Sequence, residues 1–220
     1  MGASARQETL PTIWRISALL RECSLLRPRD GLRPRTYVAF FSLLASTGLR
    51  LSEARRLERS DVDLSKGLLT VRAGKFRKSR LVPLHPSSVQ ALARYASQRD
   101  AFRFAPRSEF FFRTDHAPAL QRAAVEKTFS RLRDRLRWTS QERARRPRIH
   151  DLRHTFAVRR LLRWYEEGTD LDRKMLALST YLGHAKVTDT YWYLSAVPEL
   201  MAITSRRFAQ FARREQERAS

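Results

Sequence analysis

The stretch IHDLRHTFAVRRLL, residues 149–162, sets three side chains with chemistry on one helical face. His150, Arg153 and His154 stand at i, i+3 and i+4, where side chains on a helix meet. Leu152, Phe156 and Val158 point elsewhere and can pack. Two histidines four apart suggest a metal, but Arg153 puts a fixed positive charge where a dication would sit. A metal also needs a third ligand, and no cysteine is near. The same three side chains suit an anion such as phosphate; an ordinary solvated helix surface is the remaining reading.

Three further stretches carry chemistry of the same kind. In TGLRLSEARRL, Arg50 comes two residues after Gly48 and precedes Glu53 by three residues, so the carboxylate can orient the guanidinium. A solvated ion pair would leave the same trace. The segment GKFRKS holds Lys75 and Lys78, which can touch a DNA backbone, donate a proton in an active site, or simply be solvated. In LGHAKVTDTYWYLS, His184 follows Gly183, and Tyr193 comes nine residues later. Tyr191 and Tyr193 lie about 200° apart around a helix, so they cannot both face one site. One packs and the other is available.

The elements that must position these groups are mostly helical. Residues 12–26 read as an amphipathic helix, followed by the turn-rich RPRDGLRP. TYVAFFSLLAST is an apolar helix stopped by Gly48, a good residue for a helix C-terminus. A second helix is expected from about Leu51 to a turn at Asp61–Asp63. LLTVRA and RLVPL read as a hairpin with a basic tip. Helices are expected again in SSVQALARYASQ, in AAVEKTFSRLRDRLR, near 150–167 and near 172–182, the last with Met175, Leu178 and Leu182 as its apolar stripe. Thr188 is the expected N-cap of a short helix bearing the tyrosines. SRRFAQFARREQERAS, with Phe208 and Phe211 three apart, reads as a basic amphipathic tail. The fold class is α+β, mainly α-helical, with one small antiparallel sheet.

Composition narrows the partner. The 220 residues include 44 basic and 22 acidic ones, for a net charge of +22. Arginine supplies 38 of the 44, and its planar fork matches pairs of phosphate oxygens, which favours nucleic acid. A GC-rich genome would also favour arginine. Cys23 is the one cysteine, which excludes an intrachain disulfide and a cysteine metal cage. No apolar run is long enough to span a membrane, and the N-terminus has no signal-peptide core. The expectation is a soluble, cytoplasmic protein.

Taken together, the order Arg…Lys…His-x-x-Arg-His…His…Tyr resembles the tyrosine recombinases, the phage integrases and Xer-type enzymes. The matching text is TGLRLSEARRLERSDVDL, VRAGKFRKSRLVPLHP, HDLRHTFA and LGHAKVTDTYWYLS, within residues 35–200. The resemblance implies a catalytic domain over 35–220 and a short N-terminal helical leader over 1–34 in place of the family's usual DNA-clamping domain. Weak DNA grip by this chain alone follows as an expectation. It implies phosphate clamping by Arg50 and Arg153, a hairpin general acid at Lys75, active-site histidines at His150 and His184, and the nucleophile at Tyr193. Glu53 takes the supporting acidic place, His154 is structural, and Tyr191 packs. No cofactor or metal is implied.

The implied function is site-specific DNA recombination through a 3′-phosphotyrosyl intermediate, serving a mobile element or a chromosome. Its partners are double-stranded DNA, further copies of the chain in a tetramer on that DNA, and a partner recombinase or accessory protein. The implied location is the bacterial nucleoid. Phe208 and Phe211 would dock on a neighbouring copy or on the chain's own core. Two alternatives share these residues: a type IB topoisomerase-like enzyme that relaxes strands, and a non-catalytic DNA-binding remnant that regulates an intact recombinase.

Overall fold

The computed structural model describes residues 13–72, 79–102, 108–138, 146–184, 186 and 188–195. The hairpin tip with Lys75 and Lys78, and the tail with Phe208 and Phe211, lie outside the described residues, as does the side chain of Tyr191. The chain divides into two compact units, residues 1–156 and 157–220.

In the first unit, α1 (Ile13–Ser24) packs on α2 (Leu32–Thr47). Leu19 and Cys23 of α1 are fully buried. α2 is apolar on nearly all sides, as a helix at the centre of a core must be. Phe40 meets Phe112 edge-on at 5.2 Å, and Phe41 meets Phe129 at 5.7 Å. Tyr95 of α4 (Pro86–Ala101) stacks on Phe112 at 5.4 Å. α5 (Arg122–Arg135) completes this core through Val125, Phe129 and Leu132.

α2 begins inside the stretch that reads as a turn, and the reason lies far away in sequence. Gly31 at its N-cap has no side chain to bond the first amides. Asp115 does so instead: its carboxylate oxygens accept from Leu32 N–H at 2.6 Å and Arg33 N–H at 2.9 Å. Pro34 follows, with no N–H to satisfy.

The helix expected to run on from Leu51 stops at Arg55, giving a five-residue α3 (Leu51–Arg55). The following backbone is taken by another segment: Phe111 N–H donates to Leu57 O and Arg59 N–H to Glu109 O, both at 2.7 Å. A 3-10 turn at Arg59–Asp61 then leads into β1 (Val62–Asp63), where the sequence suggests only a turn. β2 (Leu68–Val71) and β3 (Arg80–Pro83) form the expected hairpin arms, paired antiparallel with Val71 opposite Arg80. The sheet order is β1-β2-β3.

α6 (His150–Glu166) starts in the first unit and ends in the second. In the second unit, α7 (Leu171–Leu182) buries Met175, Leu178 and Leu182, the stripe read from the sequence. α8 (Thr188–Ser195) packs on α7 and starts on Thr188 itself, so that residue is the helix's first rather than its cap. Mainly helical with one small antiparallel sheet, the architecture has the expected class.

Candidate active site

The first unit builds its group around a single turn. Gly48 closes α2 with φ 65°, a left-handed conformation that glycine adopts without strain, and its N–H donates to Leu44 O at 3.0 Å. Leu49 is buried, and Arg50 follows in an extended conformation as the N-cap of α3. Its N–H would be an orphan donor of that helix. Glu53 takes it at 2.9 Å through Oε2, and Oε1 accepts Arg50 Nη1 at 2.8 Å.

A residue not singled out in the sequence completes the arrangement. Arg80, the first residue of β3, donates Nη1 to Glu53 Oε1 at 3.0 Å and Nη2 to Oε2 at 2.9 Å. Such a fork is the strong form of a charged hydrogen bond. Burial alone would raise the Glu53 carboxyl's pKa. Hydrogen bonds from Arg80 and the Arg50 backbone, with the charge of Arg80, outweigh it and hold the group below its ordinary range. Strand alternation is the signal that points to Arg80: it shares its face with the buried Val82.

Arg153 comes to the same turn from α6. Its side chain is 2% exposed, and Nη1 donates to Gly48 O at 2.7 Å across 105 residues of sequence. Arg153 is thus fixed to the backbone of the turn that leads into Arg50, while the Glu53 carboxylate holds the Arg50 guanidinium. His150, at the first residue of α6, keeps part of its side chain open to solvent. Partial burial, then the positive charge of Arg153, lower its pKa; Arg148 and Arg50 add to this and Asp151 opposes it. His154 is half-buried, and burial first, with His150, lowers its pKa against the pull of Asp151.

Arg50 and His150 line one cleft of about 510 Å³, with Arg55, Arg122, Arg133 and Arg148 around it. Among the described residues, Glu126 is the one carboxylate in its lining. A cleft walled by one sign of charge focuses the field and draws in anions. These four further arginines were not readable as a group, because they come from α3, α5 and the segment before α6. Among the described residues, no three His, Cys, Asp or Glu side chains gather as a metal site.

The second unit holds the other candidates. Gly183 ends α7 with φ 68°, and His184 follows with its N–H on Ser179 O at 3.0 Å. His184 Nδ1 lies 2.7 Å from Thr190 Oγ1. The ring of Tyr193 lies nearly parallel to His184, with centroids 6.0 Å apart and planes at 19°. Thr190 and Tyr193 are three residues apart on α8, hence on one face, and both are buried. Thr190 is a second contributor the sequence reading passes over; its spacing from Tyr193 is the signal.

The sequence profile of the phage integrase family matches residues 16–199. Two proteins of Sinorhizobium fredii named for integrase/recombinase function are similar to this chain. One, y4rE, is 38% identical over 192 residues, covering 87% of this chain and 61% of its own length. The other, y4rB, is 43% identical over 180 residues, covering 81% and 57%. Tyrosine recombinase XerC of Chlorobaculum parvum is 37% identical over 160 residues, covering 70% and 44%. The chain therefore spans about half the length of these relatives. Among solved structures, XerA recombinase shares the fold with a TM-score of 0.70 at 23% identity, over 94% of this chain and 66% of that one. XerH bound to its difH substrate before cleavage shares it with a TM-score of 0.61 at 21% identity, over 84% and 49%.

Proposed function

The chain belongs to the phage integrase family, and on that premise we propose that it is a tyrosine-type site-specific recombinase acting on double-stranded DNA. The observation that carries this reading is the convergence of Arg50 and Arg153 on one turn, beside a cleft lined with arginine. Two fixed guanidinium groups suit the two non-bridging oxygens of a phosphodiester.

In this reading Tyr193 attacks the phosphorus in line. The phenol gives up its proton to solvent, the bond from its oxygen to phosphorus forms, the P–O5′ bond breaks, and a 3′-phosphotyrosyl link remains. A free tyrosine, with a pKa of about 10, is a poor nucleophile near neutrality unless its surroundings help. Charge grows on the phosphate oxygens in the transition state, where Arg50, Arg153, His150 and His184 stabilise it. Loss of one such donor costs about 10²–10³ in rate. Lys75 gives its proton to the leaving 5′-oxygen. The covalent link keeps the energy of the broken bond, so a 5′-hydroxyl from either strand can reseal it. Resealing by the other strand is recombination, for which copies of the chain assemble as a tetramer on DNA.

The test is covalent capture on a nicked duplex in the presence of EDTA, read on a denaturing gel. The unmodified chain and Tyr191→Phe should form a protein–DNA adduct, and Tyr193→Phe should form none. Arg50→Ala should slow adduct formation by about 10²–10³. An adduct from Tyr193→Phe would overturn the assignment of the nucleophile. Relaxation of supercoiled DNA without joining of two duplexes would move the chain to the topoisomerase-like alternative.

A further inference from the structure

Glu53 is doubly engaged. Each of its oxygens accepts one hydrogen bond from the Arg80 fork and one from Arg50, two of the four coming from each arginine. The side chains of Arg80 and Glu53 are 12% and 6% exposed, so the pair is largely withdrawn from water. Removing one member of such a pair leaves the other charge buried and uncompensated. A lone i,i+3 ion pair on a five-residue helix would leave Arg50 several rotamers to visit. With Arg80 on one side, the carboxylate has a single orientation, and Arg50 inherits it.

Arg80 is itself fixed by the sheet. It pairs with Val71 at the end of the two strands next to the connecting segment, opposite to the Leu68–Pro83 end. On the opposite arm, Arg72 pairs with Asp61 through its Nε and with Glu58 at 3.8 Å. Both arms of the hairpin are thus held to the preceding chain by arginine–carboxylate contacts. Arg56, Glu58, Asp61 and Arg72 line the hollow beside Arg50 and Glu53, so the charges around this pair are mixed in sign.

We propose, resting on the recombinase reading above, that Arg80 is a positioning residue for DNA cleavage, acting through Glu53 to set the guanidinium of Arg50 against the phosphate. Arg80 does not touch substrate in this role. Its part is to make the Glu53–Arg50 contact the only low-energy arrangement, as supporting residues do around a working group.

The experiment is single-turnover adduct formation by the full chain at saturating duplex. Arg80→Met should slow cleavage by about 10–100-fold while duplex affinity holds, because the loss falls on the transition state. Glu53→Gln should slow it comparably, and the double variant should be no slower than the slower single, since the two act in one chain of contacts. Arg80→Lys should recover only part of the rate, because a point charge cannot serve both oxygens as the fork does. A duplex with sulfur in place of the bridging 5′-oxygen, whose leaving group needs no proton, should rescue Lys75→Ala and leave Arg80→Met slow.

Equal rates for Arg80→Met and the unmodified chain would overturn the proposal, as would additive losses in the double variant. Rescue of Arg80→Met by the sulfur substrate would also overturn it, placing Arg80 with the hairpin lysine instead. Thermal unfolding of each variant separates a folding defect, and if Arg80→Met does not fold, Arg80→Lys carries the test. No adduct from the unmodified chain would bring down the recombinase chemistry itself and this role with it. Adducts at equal rates from all variants would bring down this role alone.

Discussion

At the scale of single residues, burial and neighbouring charge disfavour the protonated form of the two histidines of α6. Both have pKa values pushed below the ordinary value, His150 by partial burial and then Arg153, His154 by burial and then by His150 against Asp151. Each therefore takes up a proton less readily than a free histidine does. The unfolded chain takes up protons at an ordinary histidine pKa of about 6.5, and the folded chain resists them to a lower pH. The stability these groups contribute is complete above that value and is lost as the pH falls through it. Glu53, held below its usual range, stays ionised through the same window. Thermal midpoints measured from pH 7.5 to 5.5 should fall for the unmodified chain and fall less steeply for His154→Gln. An equal slope in the two proteins would show that His154 does not carry the effect.

At the scale of elements, the first turn of α2 is held by a carboxylate from elsewhere in the fold. Asp115→Ala should cost about 1–2 kcal/mol, the upper range for loss of a helix cap, because both leading amides lose their partner. Urea unfolding measures this directly, and an unchanged midpoint would contradict it. The same example explains what the sequence does and does not disclose. Capping rules search the residues just before a helix, and Gly31 offers nothing there, so 27–34 reads wholly as turn. α7 and the arms of the hairpin were legible because their periodicity and their bounding glycine or basic tip are local. The early end of α3 was not, because backbone bonds from residues 109–111 decide it, and neither was β1, whose two residues are defined by pairing with β2. The site divides in the same way. The Arg50–Glu53 spacing is readable at three residues, whereas Arg80 joins across 27 residues and Arg153 meets Gly48 across 105.

At the scale of the whole molecule, the charge of +22 is less uniformly superficial than the composition suggests. Arg99, Arg113 and Arg153 are buried at 3%, 7% and 2% exposure. Arg99 lies over the Phe111 ring at 4.9 Å and donates to Phe111 O at 3.0 Å, and Arg113 donates to Arg99 O at 2.7 Å. These arginines build the core. The remainder still outnumbers the acids, and neutralised phosphates release counterions. Affinity for a duplex of arbitrary sequence should therefore fall steeply with salt, by about 10³ between 50 and 200 mM if some six phosphates are engaged. Gel-shift titration across that range checks it. A flat salt profile, or tight binding confined to one sequence at physiological salt, would contradict a grip that comes mainly from charge.

The fully buried Cys23 has a practical corollary. It is the chain's one thiol, and burial pushes its pKa up, so it is withheld from the thiolate form that reacts with maleimides and disulfide reagents. In this folded chain Cys23 is therefore shielded from such reagents. One cysteine installed at an exposed position will carry a fluorophore or spin label without a competing background, and no residue of the interior has to be replaced first.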